Sequence, residues 1–197
     1  MFDEVRVAGE LAGVVDRLAD LPRAAADDAT RIDLIAWLEK LKAAAGAAQL
    51  RVIAEFADSQ VRANRARGLP ADRAGRGVAE QVGLARRVSP MTAARQVGQA
   101  RALRDELPAT FDLLTRGAIS EWVAALVVTE TSHLRRDDRR RVDDQLAPRL
   151  GTLSPRRAGA TARALAIAAD PAGAVARAAH ARSERYVTTR PAPDTMA

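Results

Sequence analysis

Apolar residues recur every three or four positions from residue 34 to residue 56. The series is Leu34, Leu38, Leu41, Ala45, Ala48, Val52 and Phe56. These spacings place the side chains on one face of an α-helix. The stripe therefore predicts a long helix over about residues 30–67, with Thr30 or Asp33 as its N-cap and Gly68-Leu69-Pro70 at its end. This helix is expected to pack in a bundle; the alternative is a dimeric coiled coil with a second copy.

Further helix starts are marked by a serine or an aspartate followed by proline. Such an N-cap with proline at the first helical position occurs at Ser89-Pro90, Ser154-Pro155 and Asp170-Pro171. Two apolar series predict buried helix faces. They are Ile119, Trp122, Val123, Leu126 and Val127, capped by Ser120, and Val142, Leu146 and Leu150. These signals predict an all-α fold, an antiparallel bundle of about seven to eight helices.

The predicted organisation has three parts. They are an N-terminal helix and linker over residues 1–29, a helical domain over 30–185 and an extended C-terminal segment over 186–197. Tyr186-Val187-Thr188-Thr189-Arg190 favours a strand, for which the chain offers no partner strand. We expect this segment either to dock on the helices or to belong to a downstream domain that the chain lacks.

Composition limits the core and the class of protein. Hydrophobic residues make up 48% of the 197 residues, but aromatic residues only 3%. Much of the hydrophobic content is alanine, which favours helices and buries little area, so the core is predicted to be thin. The absence of cysteine excludes disulfides, thiolate zinc sites and cysteine nucleophiles. No signal peptide and no apolar run of about 18 residues is present, so we expect no membrane partner and a cytoplasmic location.

Positive charge is concentrated between residues 62 and 104. Ten arginines lie there against Asp72 and Glu80, a net charge of +8 in a chain whose total is +6. A genome-wide preference for arginine would act on the whole chain, so the clustering needs a second cause. One interpretation is a surface that contacts nucleic-acid phosphates, with Arg73, Arg76, Arg86, Arg87, Arg95 and Arg101 as candidates. The alternative is a solvated face, or pairing with acids such as Asp137, Asp138, Asp143 and Asp144.

The same region contains a helix–break–helix pattern. Val88-Ser89-Pro90-Met91-Thr92, followed by Ala93, Ala94 and Arg95, is similar to the turn and recognition-helix start of bacterial helix-turn-helix proteins. The helix predicted before the turn, over residues 76–87, is short for that pattern. An ordinary αα-hairpin is therefore the interpretation that the spacing favours.

Residues that commonly carry catalysis are sparse. His133 and His180 each precede an acid by four positions, which indicates a helical charge pair or solvation of a helix C-terminus rather than a metal site, because no third ligand is evident. No serine lies in a nucleophile elbow, and Gly75-Arg76-Gly77 lacks the Lys-Ser/Thr of a phosphate-binding loop. We predict no catalytic residue, no metal, no cofactor and no small-molecule ligand.

Six stretches of the sequence carry a resemblance to a known family. They are Trp37-Leu38 with the apolar series to Phe56, Gly75-Arg76-Gly77-Val78 leading to Ala85-Arg86-Arg87-Val88-Ser89-Pro90, Leu107-Pro108-Ala109-Thr110, Gly117-Ala118-Ile119-Ser120-Glu121-Trp122, Glu130-Thr131-Ser132-His133-Leu134 and residues 190–197. They cover residues 34–197, with gaps. The chain resembles the actinobacterial domain of unknown function 222 family, which includes the thirteen-E-twelve repeat proteins of mycobacteria.

In that family the helical region lies upstream of an HNH endonuclease domain, so the resemblance implies a role beside a metal-dependent DNA nuclease. HNH chemistry needs a histidine base, metal-binding histidines or acids and an orienting asparagine. One asparagine and two distant histidines do not supply that set. We therefore expect a non-catalytic accessory domain that contacts DNA, with the nuclease part missing from this chain. The alternatives are a protein-interaction or homo-oligomerisation module, and a truncated remnant without activity.

Overall fold

The computed structural model describes residues 4–21 and 27–185. Nine α-helices account for 80% of those residues, which contain no strand. The helices are α1 (Glu4–Ala19), α2 (Asp28–Ala66), α3 (Val78–Arg86), α4 (Pro90–Asp105), α5 (Pro108–Thr115), α6 (Glu121–Thr131), α7 (Arg136–Leu150), α8 (Pro155–Ala169) and α9 (Pro171–Ser183).

The predicted all-α fold is confirmed, but the predicted number of helices was too low. The helix starts predicted at Ser154-Pro155 and Asp170-Pro171 are those of α8 and α9. The strand predicted at residues 186–190 and the rest of the predicted C-terminal segment lie outside the described residues.

Contacts divide the chain into two compact units, residues 1–38 and 39–197. The first unit contains α1 and the beginning of α2. The second contains the rest of α2 and all the following helices. The domain boundaries that we placed near residues 29 and 185 stay predictions. No described helix combines the length and the apolar character needed to cross a membrane.

Side-chain caps explain where several helices begin. The Ser89 and Asp170 side chains accept hydrogen bonds from the backbone amide three residues ahead, at 3.2 and 2.9 Å. These bonds satisfy amides that have no partner within the helix. At α2 the cap differs from the prediction. Asp27 Oδ1 accepts from the Thr30 amide at 2.7 Å, so Asp27 caps this helix in place of Thr30 or Asp33.

Within the second unit, α2 buries the face opposite to the predicted stripe. Its buried apolar positions are Ala43, Gly46, Ala47, Leu50, Ile53, Ala54 and Ala57. The predicted stripe was wrong as the core contact, because Leu41 and Val52 remain 40% and 62% exposed and Ala45 and Ala48 are exposed as well. Only Phe56 packs against the core, from a half-buried position. Small side chains on the buried face let neighbouring helices approach α2 closely.

The core of the second unit is built mainly from small and aliphatic residues. Alanine is the most frequent buried hydrophobic residue, and the largest buried apolar side chains are leucines, such as Leu103, Leu114 and Leu146. Ile119, just before α6, and Val123 and Val127 on α6 are buried as predicted. The same series was wrong for its tryptophan, since Trp122 is 64% exposed.

Two charged residues of α7 are buried and form hydrogen bonds with neighbouring parts of the fold. Arg139 is 6% exposed and donates to the Glu106 carboxylate at 2.5 Å, to Thr131 Oγ1 at 2.9 Å and to the Val128 carbonyl at 2.8 Å. Asp143 has no exposed surface and accepts hydrogen bonds at the start of α5. Such groups tolerate burial because each polar atom has a partner.

Candidate nucleic-acid interface

The arginines between residues 62 and 104 differ in their ion pairing. Arg101 and Arg104 on α4 both contact Asp58 of α2, at 3.3 and 2.7 Å. Arg104 also lies 2.7 Å from Asp105 and holds the pKa of that carboxyl below its usual range. The positive charge of these two arginines is balanced within the fold. Arg101, which we predicted as a phosphate contact, therefore shares its guanidinium with Asp58.

The other arginines of this segment project outward with little ionic compensation. Those that are exposed and make no ion pair with a described residue are Arg62, Arg65, Arg67, Arg76, Arg87 and Arg95. Arg73 is exposed and lies 4.0 Å from Asp72, and Arg86 is half-buried without an ion pair among the described residues. We call these eight residues the arginine surface.

The acids at residues 137–144 do not neutralise the arginine surface. Asp138 pairs with Arg141 on its own helix, and Asp143 caps α5. None of the acids from 137 to 144 forms an ion pair with an arginine of residues 62–104 in the described part of the chain. Pairing with these acids is therefore not found among the described residues, and a solvated face stays the alternative.

Asn64 fixes the connection between α2 and α3. Its side chain is 8% exposed, and Nδ2 donates to the carbonyl oxygens of Ala74 at 2.9 Å and Arg76 at 3.4 Å. Ala74 itself is buried. Gly68 and Gly77, at the two ends of the connection, adopt φ values of 86° and 84°, which favour glycine. The connection is thus held in one conformation, and Arg76 is presented at its surface.

The elements that carry the arginine surface meet near the α2–α3 connection. A small surface pocket of about 180 Å³ joins the connection and α3 to α4, and its lining includes Gly75, Ala94 and Arg101. The contact between Arg101 and Asp58 adds the C-terminal half of α2. Arg87 lies at the far end of α3, roughly 13 Å away at about 1.5 Å per residue. The elements that carry the arginine surface therefore lie next to one another, from the end of α2 through the connection to α3 and α4.

The arginine surface is chemically suited to anionic partners. A guanidinium group always carries charge and presents several donors that match phosphate oxygens. An arginine that already pairs with a carboxylate has to give up that partner, whereas Arg76, Arg87 and Arg95 do not. Duplex DNA carries one negative charge per about 1.7 Å of its axis, so several spaced arginines can each find a phosphate.

Comparison with known protein families gives a match, which covers nearly the whole chain. The model of the family described as "Domain of unknown function (DUF222)" matches residues 11–197. The protein belongs to the DUF222 family. The resemblance identified from the sequence is therefore confirmed at the level of the family. Membership in DUF222 assigns no activity, and no curated protein and no solved structure matches the chain.

The two histidines of this DUF222 protein lie on α9 (His180) and in the turn after α6 (His133). His180 Nε2 lies 3.4 Å from Glu184 on α9, the predicted helical pair. Burial lowers the pKa of His133, and the charge of Arg177 acts in the same direction. His133 forms no ion pair with Asp137 among the described residues, and it follows the C-terminus of α6, the place that the second alternative required. Among the described residues, no group of three or more histidines, aspartates or glutamates is placed to hold a metal ion.

The sequence analysis did not predict the structural role of Asn64, which holds the connection that carries Arg76. Asn64 was noted only as the single asparagine, and its place four residues before Gly68 was the available signal. Asparagine side chains often hydrogen-bond the backbone near helix ends and turns. Which carbonyls it would bond could not be predicted, because Ala74 and Arg76 come ten and twelve residues later.

Proposed function

We propose that this DUF222 domain contacts DNA phosphates through the arginine surface. The observation that carries the proposal is the group of exposed arginines, typified by Arg76, Arg87 and Arg95, without a carboxylate partner among the described residues. Clusters of unpaired positive charge favour polyanions and bind them in a salt-dependent manner. The paired Arg101 and Arg104 are expected to contribute less.

We also propose that the domain is an accessory without catalytic groups of its own, acting beside an HNH endonuclease. The endonuclease link is supported by the family resemblance described above. The accessory role is supported by the position of Asn64, the only asparagine of the chain. Its side-chain amide is buried and already bonded to the α2–α3 connection, so it is not available to orient a catalytic histidine.

Removing charge from the arginine surface should weaken DNA binding and reduce the dependence of the binding constant on salt concentration. We expect the combined substitutions Arg76→Gln, Arg87→Gln and Arg95→Gln to reduce the slope of log K against log salt by up to about three, since each lost phosphate contact contributes roughly 0.9. Fluorescence anisotropy with a labelled duplex at several salt concentrations measures this slope. Far-UV circular dichroism checks that the triple variant stays folded.

The matched control removes the same charge elsewhere. Arg140, Arg149 and Arg157 are exposed and make no ion pair with a described residue. Their triple glutamine variant lowers the net charge from +6 to +3 just as the first variant does. We expect it to leave the slope nearly unchanged. Equal losses in both variants would show a general charge effect, and no DNA binding at low salt would overturn the proposal.

The outer face of α2 supports a second candidate function, which is homo-oligomerisation. Leu41 and Val52 are 40% and 62% exposed, and they lie opposite the buried Ala43 and Leu50 of the same helix. A helix that is apolar on both faces commonly covers the second face with a partner. Ala45 and Ala48 continue the exposed face between them and would allow close packing.

Sedimentation at several concentrations tests this candidate. We expect the wild-type protein to dimerise and Val52→Lys to shift it to the monomer, because a charged side chain would lie within the apolar contact. Leu84→Lys on α3 is the control, since Leu84 is also an exposed apolar residue, at 81% exposure, but lies outside α2. A wild-type monomer at every concentration would count against oligomerisation without affecting the DNA proposal.

A further inference from the structure

The turn between α3 and α4 has the length found in helix-turn-helix units. α3 contains nine residues, and only Arg87, Val88 and Ser89 separate it from α4. Helix-turn-helix units join their helices by a turn of three to four residues. Arg87 has φ 57°, and the Val88 amide donates to the Gly83 carbonyl at 2.9 Å. The chain therefore reverses tightly at a residue in the left-handed conformation.

Small residues hold the two helices at close range. A Cβ atom on Gly83 would lie 3.0 Å from the Val88 carbonyl oxygen and 3.6 Å from Ala93 Cβ. Ala93 has no exposed surface, and Val82 beside Gly83 is 5% exposed. A larger side chain at residue 83 would push α4 away from the turn. This close contact therefore lies within the segment Val88–Arg95, whose sequence resembles a helix-turn-helix turn.

The start of α4 is defined by a cap. Ser89 Oγ accepts from the Thr92 amide at 3.2 Å and lies 3.0 Å from Thr92 Oγ1. Pro90 follows at the first helical position, where its missing amide hydrogen costs nothing. The first turn of α4 is consequently ordered before any ligand binds, which limits the entropy lost on binding.

The outer face of α4 has a shape and a chemistry that suit a DNA groove. Its exposed positions are Met91, Ala94, Arg95 and Gly98, which recur at three- and four-residue spacing. Met91 is 77% exposed, so its apolar side chain is accessible to a partner. The small residues at 94 and 98 allow close approach. Arginine is the side chain that most often reads guanine, and apolar groups contact the thymine methyl.

Positive charge flanks this face. Arg87 lies in the turn, Arg76 in the preceding connection, and both are exposed without an ion pair to a described residue. In helix-turn-helix complexes the first helix crosses the phosphate backbone while the start of the second helix contacts base edges. The arginines therefore stand where phosphate contacts are required, and Arg95 stands on the face that would meet the bases.

We infer that α3 and α4 form a helix-turn-helix unit in which Met91 and Arg95 of α4 read base edges in the major groove of duplex DNA. The inference rests on the proposed function, since it needs the phosphate contacts of the arginine surface. It adds sequence preference to a binding mode that phosphate contacts alone leave non-specific.

Selection from a random duplex library tests the inference. The wild-type protein should enrich a common sequence, and anisotropy should show that it prefers this duplex to a scrambled duplex of the same length. We expect Arg95→Gln to reduce the preference at one base pair by roughly 5- to 150-fold, the range for one arginine–guanine contact. Met91→Ala should relax a neighbouring position. The control Arg76→Gln should weaken both duplexes equally, because a phosphate contact carries no sequence information.

The outcomes separate this inference from the proposed function. Salt-dependent binding without any enriched sequence would overturn the inference that α4 reads bases, but it would agree with the proposed phosphate contacts. Preference for single-stranded over duplex DNA would also overturn it. Absence of DNA binding at low salt would overturn both. Arg95 is exposed, so circular dichroism is expected to show that its variant retains the wild-type helix content.

Discussion

Asp143→Ala is expected to lower the free energy of unfolding by about 3–5 kcal/mol. The carboxylate has no exposed surface and accepts from the Ala109 amide at 2.7 Å, the Thr110 amide at 3.0 Å and Thr110 Oγ1 at 2.5 Å. It caps α5 from a neighbouring helix, because the N-cap residue Leu107 has no side-chain acceptor. The variant leaves these donors without a partner and opens a cavity beside them.

Urea denaturation followed by circular dichroism measures this effect. Asp144→Ala is the matched control, since Asp144 is the adjacent acid but is exposed and makes no ion pair with a described residue. It removes the same charge and should change stability little. Asp143→Asn should fall between the two, because its amide retains one acceptor oxygen. If Asp143→Ala and Asp144→Ala unfold at the same urea concentration, the cap does not hold α5.

Gly117→Ala is expected to destabilise the protein by about 2–5 kcal/mol for two separate reasons. Gly117 has φ 68°, a conformation that costs an L-residue about 1–2 kcal/mol. A Cβ atom would also lie 2.9 Å from the Cα, Cβ and carbonyl oxygen of Lys40. That contact is with backbone, so α2 and the α5–α6 turn would have to separate, at a cost of about 1–3 kcal/mol.

Gly68→Ala isolates the first reason, the backbone strain. Gly68 has φ 86°, but a Cβ atom there would meet nothing within 4 Å. Its variant should therefore show only the backbone strain, and the difference between the two variants measures the close approach to α2. Thermal or urea denaturation gives both values. Equal losses would mean that α2 does not pass as close to Gly117 as the structure shows.

Local sequence signals predicted the helices well because they act within one or two turns. A serine or aspartate cap and the proline after it involve residues that are at most three positions apart, as in the bond between Asp170 and the Gly173 amide. Such signals need no knowledge of the rest of the fold. The starts of α4 and α9 follow directly from them, and α8 begins at the predicted Ser154-Pro155 although the Ser154 side chain makes no capping hydrogen bond.

The buried face of α2 could not be predicted in the same way. Hydrophobic periodicity gives weight to large side chains, so it selected the face of Leu41 and Val52. The fold instead buries the face of Ala43 and Ala47, where small side chains let other helices approach. Trp122 on α6 was assigned to the core for the same reason. In an alanine-rich chain, close packing of small residues competes with the burial of large ones.

For the candidate site, the sequence by itself determined that positive charge is concentrated in residues 62–104, that helices begin at Ser89-Pro90 and that no cysteine chemistry is available. It did not determine which arginines are free to bind a partner. That was decided by contacts such as Arg101 with Asp58 and Asp143 with Thr110, which join residues 43 and 33 positions apart. Pairs so distant in the chain meet only after the helices have packed, because their separation depends on every connection between them. The tertiary structure alone therefore distinguishes the balanced Arg101 from the unpaired Arg95 on the same helix.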